Sequence, residues 1–270
     1  MLTVEGGTVG IYRHARRALN HIAPIALGRL GPGRRQRLVV DLVRTASNVS
    51  GPVDRSDLHR AVATRLEGWP VMPDASERHL VGLYAVVAET AGVEGAIVEC
   101  GVGHGASLVP LARANRLFSP QRRLIAFDSF AGFPGADAHD VGPRVARAAA
   151  VPTGWDDTSL EMIEASLDAP AELVPGFFAD TLARGLPERI SLLHVDCDLY
   201  ESTRDALQLG LPRVEPGGMV IFDEYAEQVR WPGATTAIDE VLAPTPYRPT
   251  WDELLGRHVL RIPTTSPGGL

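Results

Sequence analysis

From about residue 9 to residue 92, apolar side chains recur at the three-to-four spacing of helices, with breaks at GPG (31–33), NVSGP (48–52) and GWPVMP (68–73). Beyond that point the pattern changes. Short apolar runs appear at AIVEC (96–100), RLIAFD (123–128), AELVPGFF (171–178), ISLLHVD (190–196) and MVIFD (219–223). Helical stretches separate them: one through about residue 116, a short one from 158, YESTRDALQLGL (200–211) and TTAIDEVL (235–242). Two short strands, around Trp251 and at HVLRI (258–262), close the pattern. Apolar strands alternating with helices predict an α/β fold, a parallel Rossmann-like sheet with helices on both faces. The expected organisation is a helical N-terminal extension, 1–72, followed by an α/β domain, 73–270. Residues 129–157 have no clear period, and a loop that long in a compact domain is expected to be a lid.

Composition narrows the function. Hydrophobic residues at 45% and charged residues at 22% describe a globular chain, and no window reaches the ~20 apolar residues of a membrane span. A net charge of −7 argues against nucleic acid as a partner. The stretch at 18–30 is broken by His21 and Pro24 and lacks a cleavage site, and the two cysteines, Cys100 and Cys197, make no disulfide framework or zinc spacing. A cytoplasmic protein is expected. All 26 Lys/Arg positions are arginine, which removes Schiff-base chemistry and the P-loop lysine.

Ligands of open parallel sheets bind at the carboxyl ends of the strands. Here each end is acidic: Glu99, Asp128, Asp180 just past the third strand, Asp196 with Asp198, and Asp223 with Glu224. So many carboxylates on one rim repel unless cations, hydroxyls or backbone donors compensate, which marks the rim as the binding site. The strand period of two places His194, Asp196 and Asp198 on one face. After the first strand come Gly101, Gly103 and Gly105, a G-x-G-x-G spacing unlike the dinucleotide fingerprint. Such a loop lets a ligand approach the backbone, and Asp128 is suited to accept both hydroxyls of a ribose. Together with Glu99 these features point to a nucleoside ligand, S-adenosylmethionine above all.

The segments VECGVGHGAS, IAFDSFAGFPG, GFFADTL, LLHVDCDLYEST and PGGMVIFDEY…WPGATTAIDEVL resemble, in order and interval, those of the macrocin O-methyltransferase family, over about residues 69–245. The resemblance implies a class I methyltransferase fold that uses S-adenosylmethionine and a divalent cation, usually Mg2+, to methylate sugar hydroxyls of natural products. By matching position it implies Asp196, Asp223 and Glu224 as metal ligands and Asp198 as general base. Cofactor contacts are expected from Glu99, Gly101, Gly103, Ser107, Asp128, Ser129 and Asp180. Two motifs depart from the family: Glu224 replaces a second aspartate, and V-D-C-D replaces L-D-G-D.

The chemistry is consistent with that assignment. Mg2+ takes oxygen ligands in octahedral geometry and keeps positions for water or substrate. A coordinated hydroxyl loses its proton more readily, and Asp198 would receive it. His194 is the alternative base, lying about 6–7 Å further down the strand, or a support for a metal ligand. Tyr200, Tyr225, Trp155 and Trp231 are candidates for contacts at the rim. The expected partner is a small glycosylated acceptor, and the expected assembly a homo-oligomer. Two rivals remain: an NAD-dependent oxidoreductase, which the glycine spacing disfavours, and a non-catalytic accessory protein that keeps the fold.

Overall fold

The computed structural model of the chain describes residues 76–135, 138–141, 155–226, 231–253 and 255–264. The expected extension, 1–72, lies outside them. The chain divides into two compact units, residues 1–85 with 253–255 and residues 86–252 with 256–270. In the first, Gly82 lies so close to Leu255 that a Cβ would sit 2.3 Å from its Cα.

Helix α1 (Ser76–Glu89) leads to the sheet. Then follow β1 (Ala96–Cys100), α2 (Leu108–Phe118), β2 (Leu124–Asp128), α3 (Leu160–Ser166), β3 (Glu172–Pro175), α4 (Phe178–Gly185), β4 (Ile190–Val195), α5 (Tyr200–Gly210), β5 (Val214–Phe222), α6 (Pro232–Leu242), β6 (Thr250–Asp252) and β7 (Arg257–Arg261). The strands form one seven-stranded sheet in the order β3-β2-β1-β4-β5-β7-β6. β1 to β5 are parallel, whereas β7 runs antiparallel to β5 and β6 antiparallel to β7. Central strands β1 and β4 are buried at every position, which is why they read as continuous apolar runs and not as alternations. Val98, Phe127, Leu193 and Val220 pack with Leu207 of α5 and Ile238 of α6 into one core.

The mixed α/β sheet follows the sequence pattern, with local differences. The run AELVPGFF is not one strand: Gly176 at φ +129 ends β3, and Phe178 opens α4. β5 begins at Val214, five residues before the apolar run, because a register irregularity absorbs the Pro-Gly-Gly stretch between Val214, paired with Ile190, and Met219, paired with Leu192. β4 stops at Val195, so Asp196 and Asp198 stand beyond the strand; Asp198 adopts φ +61. The common face expected for His194, Asp196 and Asp198 is therefore broken by a turn.

The order of strands reverses between β1 and β4, and this switch point opens the crevice at their carboxyl ends. Of the segment 129–157, the described part includes a single 3-10 turn, Ala138–Asp140. It docks firmly. Buried Asp140 accepts the backbone N–H of Tyr200 at 2.8 Å, completing the start of α5, whose N-cap Leu199 has no side chain to do so. His139 stacks on the Tyr200 ring at 4.1 Å. The same carboxylate lies over Gly233 in the first turn of α6, where a Cβ would come within 1.9 Å of it.

Candidate active site

The glycine loop is built by backbone demands. Gly101 stands at φ +92, and a Cβ there would lie 1.7 Å from the carbonyl oxygen of Asp196. Only glycine lets β1 and the end of β4 cross this closely. Gly103 and Gly105 also take positive φ, +52 and +78. Asp128 at the end of β2 secures the loop: its Oδ2 accepts the N–H groups of Val102 at 2.7 Å and Gly103 at 3.1 Å, and its Oδ1 accepts that of Phe130 at 2.8 Å. Thus the carboxylate expected to face a ribose also braces the loop from within. Ser129 donates to the carbonyl of Gly132 and accepts from Ala131 N–H, closing the turn after β2. Ser107 is buried at the start of α2, while Asp180 is exposed in the first turn of α4.

The three expected metal ligands do converge. Asp196, Asp223 and Glu224 each present a carboxylate oxygen, all within 4.8 Å of one another. Their oxygen-only, acidic donor set suits a hard divalent cation. Loss of solvent and the neighbouring charge of Asp223 push Asp196 well above the usual carboxylate range. Burial, followed by the charges of Asp196 and Asp223, does the same to Glu224.

Two basic side chains face this cluster. His194, fully buried on β4, is paired in register with Glu99 of β1, and its Nδ1 meets Glu99 Oε1 at 3.0 Å. A ring nitrogen of His194 also lies within 4.8 Å of an Asp223 oxygen. Burial draws the imidazole down, but the hydrogen bond and charge of Glu99, with Asp196 and Asp223 behind them, outweigh it and hold its pKa above the ordinary value. His194 and Glu99 thus sit beneath the site with no exposed surface, an arrangement that favours support over direct proton transfer. The second is Arg257 at the start of β7, whose Nε donates to Asp223 Oδ1. Nothing in the local sequence announced this arginine, since it arrives through the antiparallel register that sets Phe222 opposite His258.

Asp198 is buried, and its Oδ2 accepts the indole N–H of Trp155 at 3.0 Å. The Trp155 ring covers Gly103 and meets the His104 ring edge-on at 5.1 Å. His104 Nε2 in turn pairs with Asp157 Oδ1 at 3.0 Å. Residues 155–157 are therefore tied to the glycine loop and to Asp198 at once. Tyr225, by contrast, bonds Asp239 at 2.9 Å, Tyr200 bonds Glu240 at 2.6 Å, and Trp231 packs edge-on against Phe133.

A β3-β2-β1-β4-β5-β7-β6 sheet with an antiparallel β7 and a glycine loop after β1 defines the class I methyltransferase fold. The comparisons agree. The solved structure of the O-methyltransferase NovP superposes with a TM-score of 0.58 at 26% identity, covering 84% of this chain and 99% of that one. A profile of the macrocin-O-methyltransferase (TylF) family matches residues 73–241, and the chain belongs to that family. It is 38% identical over 149 residues to the 8-demethyl-8-(2,3-dimethoxy-alpha-L-rhamnosyl)-tetracenomycin-C 4'-O-methyltransferase of Streptomyces olivaceus, covering 50% of this chain and 54% of that protein. It is 30% identical over 143 residues to the mycinamicin III 3''-O-methyltransferase of Micromonospora griseorubida, covering 50% of this chain and 56% of that protein. The chain spans about half the length of these relatives. Among the described residues, no helix is long and apolar enough to cross a membrane.

Proposed function

We propose that the protein is an S-adenosylmethionine-dependent, divalent-metal-dependent O-methyltransferase acting on a sugar hydroxyl of a glycosylated secondary metabolite. The observation that carries this is the convergence of Asp196, Asp223 and Glu224 within 4.8 Å, beyond the crevice where Gly101 passes under Asp196. The relatives named above are a 4'-O-methyltransferase of a rhamnosyl-tetracenomycin and a 3''-O-methyltransferase of mycinamicin III, which supports the acceptor class.

In this proposal the glycine loop at Gly101 and Gly103, braced by Asp128, holds S-adenosylmethionine, which supplies an electrophilic methyl on sulfur. Ser107 and Ser129 flank that loop. Asp180, exposed beside β3, is the outermost of the proposed contacts. Asp196, Asp223 and Glu224 would hold Mg2+, which would supply Lewis acidity that lowers the pKa of a hydroxyl. Asp198 accepts the hydroxyl proton as the new C–O bond forms and the C–S bond breaks. Trp155 fixes the Asp198 carboxylate and keeps water from that corner. Glu99 and His194 steady the rim from below. A positioned base of this kind is worth ~10² to 10⁴-fold in rate.

Calorimetric titration with S-adenosylhomocysteine and with NAD, each with and without MgCl2, tests the cofactor; binding of NAD alone overturns the proposal. Methyl transfer from radiolabelled S-adenosylmethionine to a panel of O-demethylated rhamnosides of aromatic polyketides tests the acceptor. Label retained by the protein fraction with every rhamnoside would move the acceptor outside sugars.

A further inference from the structure

Arg257 stands where a cation site has least use for a positive charge. Its guanidinium is largely shielded from solvent and donates through Nε to Oδ1 of Asp223, one of the three carboxylates proposed to hold the metal. Its Nη1 donates to the carbonyl of Gly256 at 3.0 Å, so the guanidinium is also tied back to the backbone before β7. Two consequences follow. The first concerns net charge: three carboxylates, one guanidinium and a divalent ion together make a neutral set. The second concerns geometry. Asp223 Oδ1, which accepts from Arg257, has a lone pair engaged, and this disfavours coordination through both oxygens of that carboxylate.

That distinction separates cations of equal charge. Ca2+ takes six to eight oxygens and readily draws both oxygens of a carboxylate, whereas Mg2+ is smaller and holds to octahedral geometry with one oxygen per ligand. We propose that Arg257 is a specificity-determining residue of the metal site, which withholds one oxygen of Asp223 and so makes the cluster select a small octahedral cation over Ca2+. The inference rests on the proposed metal dependence. It adds a residue from outside the acidic strand ends, brought in by the reversed strand β7.

The charge of Arg257 opposes Mg2+ and Ca2+ alike, so its field alone leaves their ratio unchanged; the ratio of affinities isolates the oxygen. The experiment is calorimetric titration of the chelator-stripped full chain with MgCl2 and with CaCl2, for the wild type and for Arg257→Met, which keeps length and removes every donor. Folding is checked by thermal unfolding, and Arg257→Gln, shorter and uncharged, is the second variant. In the wild type, Mg2+ is expected to bind at least ~10-fold more tightly than Ca2+. In Arg257→Met, both affinities are expected to rise and Ca2+ to gain more, so that the preference falls by about tenfold; Arg257→Gln is expected to shift it the same way. Metal binding that persists with an unchanged ratio in both variants overturns the role of Arg257 and leaves the metal site standing. A wild type that binds neither ion overturns the metal dependence and this inference with it.

Discussion

The indole Nε1 of Trp155 donates to Oδ2 of Asp198 at 3.0 Å, joining residues 43 apart in sequence. Both residues occupy the left-handed region, Trp155 at φ +63 and Asp198 at φ +61. Aspartate tolerates this conformation; a bulky tryptophan does so only where its surroundings impose it. The two strained residues sustain each other, and the bond fixes the rotation of the carboxylate proposed as the base. Trp155→Phe keeps a ring against Gly103 but removes the N–H. With the acceptor identified from the rhamnoside panel, kcat is expected to fall about tenfold, in keeping with a hydrogen bond to a charged group, while KM for S-adenosylmethionine changes little. An unaltered kcat would show that the bond does not aim the base.

Asp196 and Asp198, two residues apart, are expected to fail differently. Asp196→Asn withdraws charge from the cation's ligands, so Mg2+ affinity should drop in calorimetry and excess Mg2+ should partly restore turnover. Asp198→Asn leaves the ligand set intact but cannot take the proton, so turnover should fall ~10² to 10⁴-fold with no rescue by Mg2+. Equal rescue of both variants would remove the division of roles.

The raised pKa values of Asp196 and Glu224 give the metal-free protein a defined pH response. Above the ordinary carboxylate range the unfolded chain has released protons that these two groups still hold when folded. The folded state then binds more protons, and stability falls as pH rises. His194, also raised, acts in the same direction: its contribution is complete below its ordinary value and is lost as pH climbs through the folded one. In chelator, thermal unfolding is expected to shift downward between about pH 5 and about pH 8, and MgCl2 to raise it more at the upper end. A metal-free midpoint that climbs over this interval would contradict the raised carboxylates of this cluster.

Gly101→Ala should be among the most damaging single-methyl additions in the chain. The residue would sit at φ +92 with its Cβ 1.7 Å from the Asp196 carbonyl oxygen, so β1 and the end of β4 must separate. A loss of roughly 2 kcal/mol or more is expected, a fall of about 4–8 °C in unfolding temperature, together with weakened S-adenosylhomocysteine binding. A variant as stable as wild type would mean that the crossing is looser than it stands here.

The sheet and most of its rim were legible because buried parallel strands leave continuous apolar runs and their ends change abruptly to acid. AIVEC, LIAFD and ISLLHV needed no more than that. α4 was masked by aromatic residues: Phe177 and Phe178 extend an apolar run, although Gly176 and the spacing of Phe178 to Leu182 carried the sign of a new helix. The turn that parts Asp198 from the strand period leaves no trace in composition, because aspartate enters the left-handed region without a glycine to mark it. The partnerships of Trp155, Asp140 and Arg257 are set by tertiary register. Each joins residues more than 30 apart, 43 for Trp155 to Asp198, 60 for Asp140 to Tyr200 and 34 for Arg257 to Asp223, and no local pattern encodes them.

The reversed strand β7 has a bearing on how the site comes into being. The carboxylates of Asp196, Asp223 and Glu224 follow parallel strands, whereas the guanidinium that meets them opens a strand running the other way. The site is therefore complete only when the antiparallel edge of the sheet is paired, so that a lesion confined to the β5–β7 pairing would reach the acidic rim without touching any of its acids.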